Sequence, residues 1–547
     1  MHPQYFELLQ KGLAAELAML PLDHKVQFLA KHKELILIEG KIAAIFANAF
    51  SADPEFSRSE TAKAAFLYCI NRTNHAFPAR REILGLLHKL SPNETIGEYL
   101  AILDKLSLSP EMDREFNEKL DSRRSEELYP GLLDILKKNP AHIGAACALL
   151  QLDFSLARDP EAWLPDFRCP NRLKPLWQQE LFLHYARRGL WREALPLWET
   201  ISPETHTPYA LTYAADALHR AGETEEALCC YRNALRLDPG LGPVRMRIGE
   251  LEHPQIPNRE LLHTRKITIC LYSWNKSDYL EETLLSLSES DTGHHPIVVL
   301  LNGCSDDSRV RIEALRDRFP GREFSVIDLP TNIGAPAARN WLISLPQAQA
   351  GDYIAFMDDD ITMPKDWLIR LLTEMETDPL NAVVGCKVVF PRQGRDAHVL
   401  QYLYRTVSFP VAGAFKLSMS TPANLVRDTG LYTFIRPSMN VMGCLHLLRT
   451  EALEKVGGFD LRFSPSQIDD IDHDLCACLK GYKIVYCGTV RCEHHQCSGV
   501  GVNRDRTTLS NASFGSIIGN DIKLNYKHAE KIHELERLSG EILFGNA

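Results

Sequence analysis

Three consecutive carboxylates follow an apolar run in the sequence YIAFMDDDITMP, at Asp358, Asp359 and Asp360. Adjacent carboxylates repel each other, so this arrangement needs a compensating positive charge. A hard divalent cation such as Mg²⁺ or Mn²⁺ takes oxygen ligands readily and supplies that charge. The alternative is an acidic turn that caps the helix expected after Pro364 and is stabilised by the helix dipole. The position at the end of a buried strand favours the metal.

A second acidic cluster lies in SQIDDIDHDLCACLKGY. Apolar side chains recur there at helical spacing, at Ile468, Ile471, Leu475 and Leu479. On such a helix Asp470 and Asp474 flank the apolar stripe, whereas Asp469 points away from it. Asp470 also lies in the first turn, where the helix dipole stabilises an anion. The cluster is either a solvated helix start or the source of a general base.

The first half of the chain is predicted to be helical throughout. Residues 1–130 form an all-helical region without assignable repeats, and residues 131–258 contain a repeat. The segments LHYARRGLWREALPLWETI and ADALHRAGETEEALCCYRNALRLDP align at a period of 33 residues. Their small residues, aromatic residues and closing proline resemble a tetratricopeptide repeat. Such a face binds a peptide or partner, or serves as a packing or dimerisation scaffold.

The hydrophobic pattern changes after a proline-containing linker at 252–265. Helices are predicted at Tyr279–Leu287 and Arg309–Phe319. Strands are predicted at Lys266–Tyr272, Pro296–Leu301, Phe324–Leu329 and Tyr353–Met357. Alternating strands and helices are typical of a mostly parallel sheet, whose ligands bind at the carboxyl ends of the strands. The carboxylates that follow the last of these strands would lie at that edge.

Residues 266–500 resemble a family 2 glycosyltransferase of the GT-A fold. The resemblance rests on several motifs in the right order: ITICLYSWNKSDYLEETLLSL, PIVVLLNGCSDDS, NIGAPAARNWLI, GDYIAFMDDDI and MGCLHLLRTEALEKVGGFDLRF. It implies an α/β GT-A domain over 264–547, with C-terminal helices, preceded by the all-α tetratricopeptide-like region. It also implies a nucleotide-diphospho-sugar donor and Mn²⁺ or Mg²⁺ as cofactor.

The resemblance assigns the metal and its surroundings. Asp360 would be the direct metal ligand, and Asp358 would face the ribose or the water shell of the metal. A histidine after the last core strand completes the metal site in this family, which points to His494 in VRCEHHQCSG, with His495 in reserve. A competing interpretation is a zinc site that adds Cys492 and Cys497 to the two histidines, but this spacing is too tight for the usual paired-ligand knuckle.

The resemblance also assigns the nucleotide contacts. The loop Tyr272–Asn275, which includes Ser273, and the strand end at Asn302 would hold the base. Arg339 would approach the diphosphate or, alternatively, form a salt bridge on its helix. The chain departs from the family at Leu301, where an aspartate is common, and this puts the usual base contact in doubt.

For catalysis, the resemblance aligns Asp470 with the catalytic aspartate of the family and puts Asp469 in place of a glutamate. One carboxylate accepts the proton of the acceptor as it attacks the anomeric carbon. A single displacement inverts that carbon, unlike the double displacement of retaining hydrolases. We therefore expect an inverting transferase with Asp470 as the base.

The acceptor side is less defined. A protein or peptide positioned by the helical repeats is one expectation. Within 393–437, four aromatic residues could line a binding floor or fill the core of an inserted hairpin: Tyr402, Tyr404, Phe409 and Phe415. The tail from Asn511 to Leu543 is predicted to be a covering helix.

Composition narrows the function class. A net charge of −10 argues against a nucleic-acid partner. The 14 cysteines do not form a small secreted framework, and no signal peptide or spanning helix is predicted, which favours a cytoplasmic protein, with a homo-oligomer as one option. Two other functions remain open: a scaffold with an inactive transferase-like domain, which Leu301 favours, and a nucleotidyltransferase, for which the loop LYSWNKSDY lacks a glycine-rich phosphate site.

Overall fold

The computed structural model describes residues 4–121, 125–392, 394–407, 419–420, 426–495 and 511–545. It confirms the predicted fold class, because an all-helical half precedes a domain with a mixed, mostly parallel sheet. Three residues of the sequence hypotheses lie outside the described residues: Phe409, Phe415 and Cys497.

The helices of the first half follow one another along the chain, and the longest connection, residues 157–173 between α9 and α10, contains three 3₁₀ helices. The bounds of the α-helices are α1 Gln4–Met19, α2 Leu22–Leu35, α3 Gly40–Ser51, α4 Glu60–Ala76, α5 Arg81–Leu90, α6 Glu94–Leu106, α7 Pro110–Asp121, α8 Tyr129–Lys138, α9 Ile143–Leu156, α10 Lys174–Arg187, α11 Trp191–Trp198, α12 Pro208–Ala221, α13 Thr224–Leu237 and α14 Gly242–Glu252. Helix α10 packs on α11 and α12 packs on α13, as the repeat predicts. Gly189 and Gly222 hold the same place in the two pairs, and both have positive φ. The tetratricopeptide assignment itself stays a prediction.

The second half is built on one sheet of ten strands, with β8 and β9 forming a separate pair. The strands are β1 Ile267–Ser273, β2 Ile297–Asn302, β3 Phe324–Leu329, β4 Tyr353–Met357, β5 Ile361–Thr362, β6 Asn381–Val389, β7 Leu400–Tyr402, β8 Thr406–Val407, β9 Met419–Ser420, β10 Ile435–Ser438, β11 Leu445–Arg449 and β12 Lys483–His494. Their order is β10-β12-β6-β11-β4-β1-β2-β3, with β5 on β12 and β7 on β6. Strands β3, β2, β1 and β4 are neighbours in that order and run parallel to one another. Strand β11 is antiparallel to both of its neighbours, β4 and β6.

Helices cover both faces of this sheet. They are α15 Leu261–Thr264, α16 Ser277–Ser288, α17 Ser308–Leu315, α18 Ala335–Ile343, α19 Pro346–Gln349, α20 Trp367–Met375, α21 Thr450–Val456, α22 Asp469–Leu479, α23 Asn511–His528 and α24 Ile532–Phe544. Successive side chains of β1 point to opposite faces of the sheet and so pack against different helices. Ile269 belongs to the apolar cluster that includes α16 and α20, whereas Cys270 belongs to the cluster that includes α18 and α22. Among the described residues, no helix is both long and apolar enough to cross a bilayer.

The helical half shares its core with the sheet domain. The cluster on the α22 side of the sheet continues into helices α2 to α4 and α10 to α14. Polar contacts cross the same boundary, because Tyr432 Oη accepts a hydrogen bond from Leu37 N at 3.1 Å and Arg247 donates to Thr433 O at 2.6 Å. The two halves therefore form one folding unit, and removal of the helices would expose apolar surface of the sheet domain.

A buried ion cluster fixes this boundary. Asp396, in the segment that enters β7, accepts from Arg188 Nε at 2.9 Å and from Arg188 Nη2 at 2.7 Å. Arg427 Nη2 lies 2.8 Å from the other oxygen of the same carboxylate. The side chain of Arg188 is 0% exposed and that of Asp396 is 1% exposed. Such a pair costs free energy to bury, and loss of one partner leaves an uncompensated charge inside the protein.

We predict that Asp396→Ala lowers the free energy of unfolding by about 3–5 kcal/mol, because two buried guanidinium groups lose their shared carboxylate. Urea unfolding followed by circular dichroism measures this change. The matched control is Glu451→Ala, which removes the carboxylate of an exposed pair with Lys455 and is expected to leave the unfolding midpoint unchanged. Equal midpoints for the two variants would contradict the structural role of Asp396.

Candidate active site

The carboxylates after β4 meet a histidine from the end of β12. His494 Nε2 lies 3.2 Å from Asp360 Oδ1 and 3.9 Å from Asp358 Oδ2. The three potential ligand atoms all lie within 4.8 Å of one another. Two carboxylates and one imidazole at such spacing fit a hard or borderline divalent cation, Mg²⁺ or Mn²⁺. The structure thus brings together the three residues predicted as the metal site.

A lysine that the sequence reasoning did not single out compensates the negative charge of two of the three carboxylates. Lys276 Nζ lies 2.9 Å from Asp359 Oδ1 and 3.0 Å from Asp360 Oδ2. Lys276 directly follows Asn275 in the loop after β1. This position next to the predicted nucleotide loop is the sequence feature from which its proximity to the site could have been predicted. Because the carboxylates are buried, this lysine is needed to hold two of them side by side.

The pKa values of the cluster are strongly perturbed. Burial raises the pKa of Asp358 to about 6. Burial also acts to raise the pKa of Asp360, but Lys276 and His494 outweigh it and hold that pKa well below its usual range. For His494 burial acts to lower the pKa, and attraction to Asp360 overcomes this and raises it to about 9. Perturbations of this size are typical of functional sites.

Arg339 connects this cluster to helix α22. Its Nη1 lies 2.5 Å from Asp469 Oδ2, and its Nη2 lies 3.7 Å from Asp358 Oδ1 and donates to Gly443 O at 3.2 Å. Arg339 was expected either to approach the diphosphate or to form a salt bridge on its own helix. In the structure it forms a salt bridge, but with Asp469 of α22. Asp469 was predicted to point away from the apolar stripe and is instead buried, because this distant arginine neutralises it.

The predicted base lies next to that ion pair. Asp470 is half-buried, and its Oδ2 accepts from Gly443 N at 3.0 Å while its Oδ1 accepts from Ile471 N at 2.9 Å. A Cβ at position 443 would lie 3.1 Å from Asp470 Cβ and 3.0 Å from Arg339 Nη2. Gly443 therefore lets the backbone approach both side chains, a requirement that the sequence reasoning missed. Asp474, the other flanking carboxylate, is buried and accepts from Asn440 Nδ2 at 2.8 Å.

The predicted base-binding residues mostly hold the loops themselves. Asn275, at φ 53°, accepts from Ser305 N at 2.7 Å. Asn302 accepts from Ile333 N at 2.9 Å and donates to Asn332 Oδ1 at 3.0 Å.

Three further residues of this region are placed by the sheet. Ser273 and Leu301 are buried, each 1% exposed. Tyr272 donates from its hydroxyl to Asp358 Oδ1 at 3.2 Å, so it faces the carboxylates. The loops are thus tied to each other and to the metal-site carboxylates.

The remaining candidates are placed outside the cluster. The His495 ring lies 5.1 Å from the ring of Tyr279, and its Nε2 is 3.8 Å from Glu282 Oε2. Cys492 is buried in the sheet core. Among the described residues, Cys492, His494 and His495 do not form a group of potential metal ligands, so this part of the zinc hypothesis has no site. Tyr402 and Tyr404 are buried, as the core interpretation of the inserted segment expects.

The chain has similarity to known transferases. Residues 268–457 match the family model Glycosyl transferase family 2. The succinoglycan biosynthesis protein ExoM of Rhizobium meliloti (strain 1021) is 34% identical over 133 residues, which are 24% of this chain and 40% of that protein. The O-antigen biosynthesis protein RfbC of Myxococcus xanthus is 25% identical over 236 residues, 43% of this chain and 17% of that protein. The chain thus spans less than half the length of these relatives, and the match supports a family 2 transferase domain.

Solved structures have a weaker likeness to the chain. The crystal structure of GalNAc-T7 with UDP, GalNAc and Mn²⁺ gives a TM-score of 0.36 at 11% identity over 51% of this chain and 54% of that one. The mannosyltransferase PcManGT from Pyrobaculum calidifontis, in complex with GDP-Man and Mn²⁺, gives 0.33 at 16% identity over 62% of this chain and 88% of that one.

We predict that Lys276→Met lowers the thermal midpoint of the metal-free protein and enlarges the rise in midpoint on addition of Mn²⁺. The reason is that Asp359 and Asp360 lose their cation, so a bound divalent ion relieves more repulsion than in the wild type. Differential scanning fluorimetry with and without Mn²⁺ measures both effects. Lys365→Met, at an exposed lysine that follows β5, is the control and should match the wild type. A smaller Mn²⁺ response in Lys276→Met would overturn this role.

Proposed function

We propose that the chain is an inverting, metal-dependent glycosyltransferase with a nucleotide-diphospho-sugar donor. One observation carries this proposal: a single guanidinium, that of Arg339, lies within 4 Å of both a metal-site carboxylate, Asp358, and the first carboxylate of the α22 cluster, Asp469. The metal site and the candidate base are therefore neighbours at one edge of the sheet. Glycosyl transfer needs both groups at the two ends of the breaking and forming bonds.

In this proposal Asp358, Asp360 and His494 hold Mn²⁺ or Mg²⁺. When bound, the divalent cation supplies positive charge that stabilises the departing nucleoside diphosphate. The site residues suit this role, because two carboxylate oxygens and one imidazole nitrogen converge from different strands. Arg339 adds a fixed positive charge beside them, although its pairing with Asp469 makes it a positioning group instead of a free diphosphate ligand.

Asp470 acts as the general base in this proposal. The oxygen of the acceptor attacks the anomeric carbon, the bond from that carbon to the diphosphate oxygen breaks, and the acceptor proton passes to the carboxylate of Asp470. The hydrogen bonds from Gly443 N and Ile471 N fix the orientation of this carboxylate. One displacement of this kind inverts the anomeric centre. Asp469 supports the base indirectly, because it pairs with Arg339, and Arg339 donates to the carbonyl of the same Gly443 whose N–H binds Asp470.

The acceptor in this proposal is a protein or peptide positioned with the help of the helical half. The matched relatives, which are named for succinoglycan and O-antigen biosynthesis, favour a saccharide as the alternative. The cytoplasm is the proposed location, since the described cysteines are all free thiols. A homo-oligomer is compatible with helical repeats of this type.

A second candidate function is a scaffold with an inactive transferase-like domain. Two features of the predicted nucleotide loops favour it. Leu301 stands where the family usually has an aspartate, and the side chain of Asn302 is hydrogen-bonded to Asn332 and to Ile333 N. The nucleotidyltransferase alternative has no such observation in its favour.

We predict that one nucleoside diphosphate of a panel of UDP, GDP, dTDP and CDP binds with Mn²⁺ and not without it, in calorimetric titrations. Asp360→Ala should lose this binding. Asp470→Asn should keep it and lose transfer by about 10²–10⁴-fold, because only the proton acceptor is removed. Folded protein that binds no member of the panel would favour the scaffold, and an unchanged transfer rate in Asp470→Asn would exclude this residue as the base.

A further inference from the structure

The imidazole of His494 has a second polar contact on the side away from the carboxylates. Its Nδ1 lies 3.0 Å from Gln401 Oε1. Both side chains are buried, with Gln401 at 8% and His494 at 5% exposure. An amide oxygen accepts hydrogen bonds only, so Nδ1 is the donor in this contact and carries a proton.

This contact directs the other ring nitrogen. Nε2 lies 3.2 Å from Asp360 Oδ1, so the ring is held between an acceptor at one nitrogen and the carboxylates at the other. A histidine that ligates a metal through Nε2 commonly donates from Nδ1 to such a partner, which fixes its tautomer and its ring plane. Gln401 has the position and the chemistry of that partner.

Gln401 belongs to the inserted segment that enters the sheet as β7. This strand pairs with β6, with Val388 opposite Tyr402 and Val389 opposite Leu400. On its other side Leu400 N donates to Val426 O at 2.8 Å. The backbone on both sides of Gln401 is therefore fixed.

The helical half fixes the start of the same segment. Asp396, five residues before Gln401, lies in the buried cluster with Arg188 and Arg427. Ala397 N donates to Arg188 O at 2.8 Å, and a Cβ at Gly189 would lie 2.6 Å from Ala397 Cβ. The chain after α10 thus lies directly against the residues that lead into β7.

We infer that Gln401 is a positioning residue for His494, and that the helical half holds it in place through the contacts of Asp396 and Ala397. The inference rests on the proposed metal site and assigns the helical half a role in metal binding, separate from any role in acceptor capture. A continuous run of contacts supports it, from Arg188 through Asp396 and β7 to Gln401 and His494.

The test is the affinity of the full chain for Mn²⁺ alone, measured by calorimetry and by electron paramagnetic resonance of free Mn²⁺. Gln401→Leu should weaken Mn²⁺ binding by about 10–100-fold, because the imidazole loses its acceptor. Gln401→Glu should restore binding to near the wild-type value, since a carboxylate oxygen accepts the same hydrogen bond. Gln179→Leu, at another buried glutamine far along the chain, is the matched control and should leave Mn²⁺ binding unchanged.

A second pair of variants tests the link to the helical half. Asp396→Asn keeps the shape of the side chain and removes its charge, so it should weaken Mn²⁺ binding severalfold in folded protein. Arg395→Ala removes an exposed neighbour paired with Glu193 and should bind Mn²⁺ like the wild type. Wild-type affinity in Asp396→Asn would overturn the link.

The outcomes separate this inference from the proposed function. If the wild type binds Mn²⁺, Asp360→Ala does not, and Gln401→Leu equals the wild type, then Gln401 has no positioning role and the metal site stands. If Gln401→Glu fails to rescue Gln401→Leu, the acceptor role is wrong. If the wild type binds no Mn²⁺, the metal site and the inference both fail.

Discussion

Three negative charges leave bulk water together at the carboxyl end of β4, and the protein can keep them there only if cations face them. Three elements distant in sequence each supply one positive group: Lys276 from the loop after β1, Arg339 from α18 and His494 from β12. The order of the strands brings two of these groups to the carboxylates, because β1 is a neighbour of β4, and β5, which directly follows the carboxylates, pairs with β12. A divalent cation would replace part of this compensation while taking the same carboxylate oxygens as ligands.

The helical half belongs to the same construction. Its helices share an apolar cluster with α18 and α22, and they hold the inserted segment at Asp396 and Ala397. Some faces of these helices are thus covered by the protein's own sheet domain. We therefore infer that the helices support the site, and the proposed acceptor binding would use surface that remains exposed.

Sequence patterns predicted the framework well, because periodicity and strand-end position are local properties. Phe324–Leu329 and Tyr353–Met357 are strands with those bounds, and Asp358 and Asp360 lie where a strand end was expected. The partners of these residues could not be predicted from local patterns. Asp469 is buried because of an arginine 130 residues away. Gln401 lies in the inserted segment, for which a binding floor or a hairpin core was expected; there β8 and β9 pair with each other, whereas β7, which carries Gln401, pairs with the distant β6.

The most direct test of the central claim, that Asp358, Asp360 and His494 bind one divalent cation, is pulsed electron paramagnetic resonance of Mn²⁺ bound to the protein. A directly coordinated imidazole gives a nitrogen coupling to the manganese spin. We predict this coupling in the wild type, its loss in His494→Ala, and its persistence in His495→Ala. A bound Mn²⁺ without nitrogen coupling, or a coupling that survives in His494→Ala, would contradict it.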